Sequence, residues 1–311
     1  QRGKHVLLEK PMTMTLSEAD VIIDAAESRS LSLVVCSPHS FAPPTTQILS
    51  MIQQGKLGSV KMINTWYYGD WLYRPRTPDE LNPDPSYGGG VVFRQAPHQI
   101  DMLRTVAGGK VTTLSANVGI WDLDRPVPGA YTAYLRFENG ISATAVYSGY
   151  DRFQTGEITY GHSLPPQPHR YGQARTARRS TDSSSELTAK QSGRYGGSSP
   201  VAVFREDAPK SFPWISDLLF VVTGDAGEVR VTPNSVIYYG DDVVEEIQLD
   251  PDVTGRDGLI NQLYDSITGE KRATHDGRWG KATLEVCLGI MNAAQSQKEA
   301  EMIYQQGLEI D

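Results

Sequence analysis

The apolar positions of the first fifty residues change period twice. Val6-Leu7-Leu8 is a short unalternating run, as expected of a strand covered on both faces in a parallel sheet, although three residues also suit a core helix. Ala19, Ile22, Ile23 and Ala26 then recur at helical spacing behind Ser17, Glu18 and Asp20, an N-cap with an acidic first turn, and predict a helix at about 17–29. Leu31–Cys36 is a second apolar β-type run. Strand, helix, strand is a parallel crossover unit. Two strands make a poor sheet, so further strands are expected upstream of residue 1.

After Pro43-Pro44 a helical pattern uses Ile48, Leu49, Met51 and Ile52 and stops at Gly55, a good residue to follow a helix. Strand patterns then dominate: 61–68, 112–120, 130–137, 141–148, 218–223, 228–232, 236–239 and 243–249. Asn139-Gly140 is the strongest hairpin signal, and a type I′ turn there requires positive φ at both residues. Helical segments at 259–268 and from Gly280 to about Glu301 close the chain. The expected architecture is α/β: the C-terminal part of a dinucleotide-binding Rossmann unit at 1–55, then an α+β domain at 56–311. In that second domain, helices cover one face of an open, mostly antiparallel sheet. Between Arg152 and Phe212 the pattern dissolves into Ser, Gly, Pro and Arg, and a flexible insertion is expected, either a solvated loop or an arm touching an anionic substrate or a neighbouring subunit.

Composition narrows the partners. With 39% apolar residues and 29 glycines in 311, the chain has the make-up of an ordinary globular protein, and no run approaches the ~18 apolar residues of a membrane span. A net charge of −8 argues against nucleic acid or an anionic membrane surface as a partner. Two distant cysteines, Cys36 and Cys287, offer neither a zinc ribbon nor a disulfide framework, which favours a reducing, cytoplasmic setting.

The six histidines show no metal-binding spacing, so no metal is expected, and neither a nucleophile elbow nor a Gly-x-Gly-x-x-Gly or Walker loop occurs. Two segments carry chemistry. Glu9-Lys10-Pro11 puts a lysine directly after a parallel-type strand, where ligand sites of open α/β sheets collect; a surface lysine is the plainer reading of the tripeptide alone. Gly88-Gly89-Gly90 leads into Arg94, His98 and Asp101, which on one continuous helix share a face. His98 is then a proton acceptor and Asp101 its orienting partner, the alternative being a structural histidine in the core.

Gly3-Lys4-His5-Val6-Leu7-Leu8-Glu9-Lys10-Pro11, followed about 90 residues later by the glycine triplet and His98-x-x-Asp101, resembles the Gfo/Idh/MocA oxidoreductases. Gly55-Lys56-Leu57-Gly58 and Asp276-Gly277 are similar to that family as well. The resemblance implies a Rossmann domain, an open-sheet domain serving as substrate face and subunit interface, and NAD or NADP between them. By position Lys10 matches the family's active-site lysine and His98 its catalytic histidine, with Glu9, Lys10 and Pro11 at the cofactor. Family members carry a Gly-rich turn and roughly one hundred residues ahead of this strand. Where many carry Asp four residues before the histidine, this chain has Arg94, which suits a carboxylate. Arg94-Gln95-Ala96-Pro97-His98-Gln99-Ile100-Asp101 and His275-Asp276-Gly277-Arg278-Trp279-Gly280-Lys281 look like the phthalate 4,5-cis-dihydrodiol dehydrogenases. That subgroup implies a small anionic substrate held by Arg94, Arg74, Trp71 and Asp101, with Arg76 as a further cation, and oxidation of a carboxylated cis-dihydrodiol to a dihydroxyphthalate in aromatic catabolism. Sugar or cyclitol oxidation and a non-catalytic assembly role are the alternatives, and an exposed sheet predicts a homodimer or homotetramer.

Overall fold

The computed structural model describes residues 2–159, 173–179, 181–192, 218–250 and 252–308. β1 (Val6–Glu9), α1 (Leu16–Glu27) and β2 (Leu33–Cys36) form the crossover unit, with β1 and β2 paired in parallel from Val6 opposite Leu33 to Glu9 opposite Cys36. The helix starts at Thr15 and not Ser17, because Thr15 and Glu18 cap each other. The Thr15 hydroxyl accepts the Glu18 N–H at 3.2 Å and the Glu18 carboxylate accepts the Thr15 N–H at 3.0 Å. Met12, Ala19, Ile23, Leu33 and Val35 make the small core of this unit.

α2 (Pro43–Gln53) leads into β3 (Val60–Tyr68), and α3 (Val91–Arg94) and α4 (Ala96–Ala107) precede the hairpins β4 (Val111–Gly119), β5 (Ala130–Phe137) and β6 (Ser142–Ser148). After α5 (Gly156–Thr159), α6 (Gln173–Arg179) and α7 (Ser183–Ser192) come β7 (Leu219–Gly224), β8 (Glu228–Val231), β9 (Ser235–Tyr239) and β10 (Val244–Gln248). α8 (Gly255–Thr268), α9 (Gly277–Ser296) and β11 (Ala300–Glu301) complete the described chain. Nine strands make one sheet in the order β10-β9-β8-β7-β3-β6-β5-β4-β11, antiparallel except where β3 meets β6. Strand alternation sorts its residues: Ile63, Thr65 and Tyr67 are buried on the side of α4, whereas Met62 and Trp66 on the other face are each 43% exposed.

Three expectations change in detail. At the β5–β6 turn only Gly140 has positive φ, at 84°. The Gly140 N–H bonds the Phe137 carbonyl at 3.0 Å. The connection is thus a three-residue turn with glycine in the bulge position, not a type I′ turn. The last helix begins at Gly277, capped by the Asp276 carboxylate on the Trp279 N–H at 2.9 Å, and ends before Gln297, whose φ of 56° turns the chain so that β11 pairs with β4. Finally, the described parts of the expected flexible insertion carry three helices, α5 to α7, and residues 160–172, 180 and 193–212 lie outside the described residues.

Candidate active site

The glycine triplet turns the chain tightly onto the sheet. Gly90 has φ +83°, and a Cβ there would stand 2.5 Å from the Pro128 carbonyl oxygen, so no other residue fits. The Val91 N–H binds that same carbonyl at 2.7 Å, which fixes the start of α3. The expected single helix through Arg94 and His98 is broken at Gln95, where φ is −124°. Pro97 has no N–H to give and crowds the carbonyl four residues back, so the turn cannot continue. In consequence the His98 N–H bonds Gln95 at 3.1 Å, and the Arg94 carbonyl, which a continuous helix would have consumed, faces out. Lys10 Nζ donates to it at 2.7 Å. The two sequence motifs, 84 residues apart, are joined by that bond.

Lys10 stands half-buried at the carboxyl end of β1, and burial pushes its pKa down to about 8 against the opposing pull of Glu9. His98 is held well below the ordinary histidine range by burial, then by the charge of Lys10, and so is neutral. Sequence reasoning did not single out His39, which follows β2 in Ser37-Pro38-His39-Ser40. Its ring meets His98 edge to face at 4.7 Å, and burial with Lys10 drives its pKa to about 3. The signal was available, because the rule that drew attention to Lys10, a polar residue just past a parallel strand, applies equally to β2.

Asp101 is not placed as His98's orienting partner. Its carboxylate is the hub of a buried network. Ser40 and the His275 ring donate to one oxygen, the latter at 3.1 Å, and Trp279 Nε1 at 2.6 Å and Thr283 Oγ1 at 3.3 Å to the other. Burial raises the carboxyl's pKa, but His275 and the hydroxyls outweigh it and leave the group below the usual carboxylate range. The network ties α4 to α9 and to the segment after β2, and it engages both oxygens of Asp101.

The arginines divide similarly. Arg94 gives Nε to the Gly88 carbonyl and Nη2 to that of Tyr87, both at 2.9 Å, and thereby braces the glycine loop. Arg76 is buried over the Trp71 ring at 4.1 Å, which packs the indole away from solvent. Arg74 has a half-exposed side chain, with Nε on Asp70 at 2.5 Å. Glu80 binds Arg76 at 3.3 Å and Lys190 of α7 at 3.2 Å. Its carbonyl accepts the Gly90 N–H at 3.0 Å. Glu186, also on α7, is 4% exposed and bonds Arg125 at 2.6 Å, Arg178 at 2.7 Å and the Arg76 N–H at 3.0 Å. The insertion therefore grips the loop that carries Arg74 to Gly90.

Comparison with known proteins agrees with this geometry. Residues 1–37 match the model of an oxidoreductase family with an NAD-binding Rossmann fold, and residues 45–163 match the Gfo/Idh/MocA C-terminal domain. The 1-carboxy-3-chloro-3,4-dihydroxycyclohexa-1,5-diene dehydrogenase of Comamonas testosteroni is 32% identical over 299 residues, 95% of this chain and 74% of that one. A crystal structure of a candidate dehydrogenase from Bordetella bronchiseptica RB50 superposes with TM-score 0.83 at 34% identity, over 96% of this chain and 76% of that one. Levoglucosan dehydrogenase with NADH and levoglucosan superposes at 0.66 and 16% identity, covering 96% and 74%, a likeness of fold. With a lysine at a parallel strand end joined to the histidine helix beneath an open sheet, and a relative this similar along nearly its whole length, the chain belongs to the Gfo/Idh/MocA family of NAD-dependent oxidoreductases, dehydrogenases acting on CH–OH groups.

Proposed function

We propose that the protein oxidises a carboxylated cis-dihydrodiol of a cyclohexadiene ring to the corresponding catechol, with Lys10 and His98 as its proton-handling pair. The observation that carries this is the Lys10 ammonium on the Arg94 carbonyl, which joins the end of β1 to the helix of His98, with the His39 ring packed edge to face on that of His98. The similarity to a dehydrogenase of a carboxy-dihydroxycyclohexadiene supports the ring and its carboxylate. A phthalate-type diol with two carboxylates is the member of that class we favour, on the likeness of residues 94–101 and 275–281 to the phthalate 4,5-cis-dihydrodiol dehydrogenases.

The residues present fit the reactive end of the dinucleotide. Lys10, Pro11 and Cys36 stand where parallel strands end, and an apolar crevice lined by Pro11, Cys36 and Pro97 runs beside Lys10. Bound NAD supplies the hydride acceptor. Lys10, as an ammonium, donates to the diol oxygen and lowers the cost of its developing negative charge. Neutral His98 accepts the hydroxyl proton. Loss of a hydride and a proton from adjacent atoms leaves a ketone that rearomatises to the catechol. Arg74, half-exposed and held through Nε by Asp70, anchors the carboxylate, and Arg94 holds the glycine loop in register. We further read the open sheet face, with Met62 and Trp66 each 43% exposed, as the contact of a homodimer or homotetramer, and free thiols at Cys36 and Cys287 as suited to the cytoplasm.

A substrate panel tests the reading. With NAD⁺ in excess, kcat/KM should be highest for the carboxylated cis-dihydrodiol and fall by about ten-fold or more for the same diol without its carboxylate. Preference for levoglucosan or a cyclitol would overturn the substrate and leave the family intact.

A further inference from the structure

A second cavity lies across the sheet from α4. Tyr67 and Tyr147 are buried on the helix side, so by strand alternation their neighbours Tyr68 and Ser148 face the open side. There the chain encloses about 240 Å³ between Tyr68, Tyr73, Trp121, Tyr150 and Phe153. The walls are held in place. Trp121 stacks on Tyr150 at 4.8 Å and 23°, Phe153 lies against Tyr68 at 5.4 Å, and Tyr150 Oη accepts the Trp121 N–H at 2.7 Å. Tyr73 Oη donates to Asp122 at 2.7 Å. Trp121 nevertheless remains 70% exposed, a large aromatic surface fixed open to solvent.

Two cations complete the lining, Arg152 and Arg175. Arg76, Arg125 and Arg178 close by are committed to Glu80 and Glu186, whereas Arg152 and Arg175 pair with no carboxylate among the described residues. The Arg175 guanidinium instead lies 5.2 Å from the Tyr73 ring centroid, and its backbone N–H is fixed by Asp151 at 3.2 Å. We infer that this cavity is a second ligand site, for a planar ring bearing a carboxylate and of about benzoate size. The rings supply stacking surfaces and the guanidiniums a fork matched to the carboxylate. This rests on the cavity's own walls and not on the substrate assigned to Lys10 and His98.

Calorimetric titration of the intact protein with benzoate tests it, alongside the variants Arg175→Gln, Trp121→Leu and Lys10→Met. Trp121 is 70% exposed and gives up only its stacking on Tyr150, so its replacement should cost the fold little and keeps the test valid should Arg175→Gln misfold. Benzoate should bind the parent protein, and about ten-fold or more weakly to each of the first two variants. Benzamide, with the same ring and no charge, should bind the parent at least about ten-fold more weakly than benzoate. Binding should persist in Lys10→Met. Equal affinity for benzoate and benzamide, unchanged binding in both cavity variants, no benzoate binding at all, or loss confined to Lys10→Met would each overturn the site, the last placing benzoate at the catalytic centre instead.

Discussion

Lys10 is the residue on which the proposed chemistry turns, and its environment makes it costly. Its pKa in the folded protein is about 8, below the 10.5 of an unperturbed lysine, because burial disfavours the ammonium. Between those values the unfolded chain holds the proton more tightly, so stability rises as pH climbs from about 8 towards 10.5. Lys10→Met should therefore be more stable than the parent near neutral pH, and the advantage should shrink as the solution approaches pH 10.5, read as urea midpoints across the series. A variant less stable throughout would contradict the desolvation account. His98 faces the opposite demand, to accept a proton while neutral, and His98→Asn should lower kcat by ~10² or more with circular dichroism unchanged. Near-normal turnover in that variant would remove His98 from the mechanism. Both residues stand in motifs that the sequence marked and that the Lys10 bond to the Arg94 carbonyl brings together. His39 was not singled out, although its place just past β2 obeys the same strand-end rule as Lys10; only the fold brings it to 4.7 Å from His98.

At the scale of elements the informative feature is the interruption between α3 and α4. Periodicity placed Arg94, His98 and Asp101 on one helical face, and Pro97 is what the periodicity hid: it ends the short helix and releases the carbonyl that Lys10 takes. Arg94 and Asp101 consequently turn to bracing tasks, the glycine loop and the buried hub. A strand pattern needs only two-residue alternation, so every strand from 61 to 249 was legible within one or two residues. Cap identity and turn type depend on side-chain bonds such as Thr15 with Glu18, and these were less so. Gly90→Ala tests the register of α3 directly. Its Cβ would meet Pro128 backbone at 2.5 Å in a left-handed conformation, so a loss of at least about 2 kcal/mol in unfolding free energy is expected by urea titration, together with lost turnover. Stability equal to the parent would mean the glycine loop is free to move.

At the scale of the molecule, helix α7 of the insertion is what composition did not foretell. A Ser, Gly and Arg-rich stretch reads as a solvated loop, yet Glu186 on α7 is 4% exposed between Arg125 and Arg178. Low apolar content concealed a segment held by charge. Glu186→Gln leaves both guanidiniums without their counter-charge, and a destabilisation of about 3 kcal/mol is expected, with the largest gain in hydrogen exchange along residues 74–90. Unchanged exchange there would mean that α7 does not brace the site.

In the proposed mechanism a charged Lys10 at the end of β1 acts with His98 on the substrate oxygen. The measurement that tests it most directly is the pH dependence of kcat/KM, followed by NADH formation from a carboxylated cis-dihydrodiol, for the parent and Lys10→Arg. The parent should lose activity as pH rises through about 8, where Lys10 gives up its proton, and in Lys10→Arg, which keeps its charge, that fall should vanish. The same fall near pH 8 in both proteins would mean that the Lys10 ammonium takes no part in turnover.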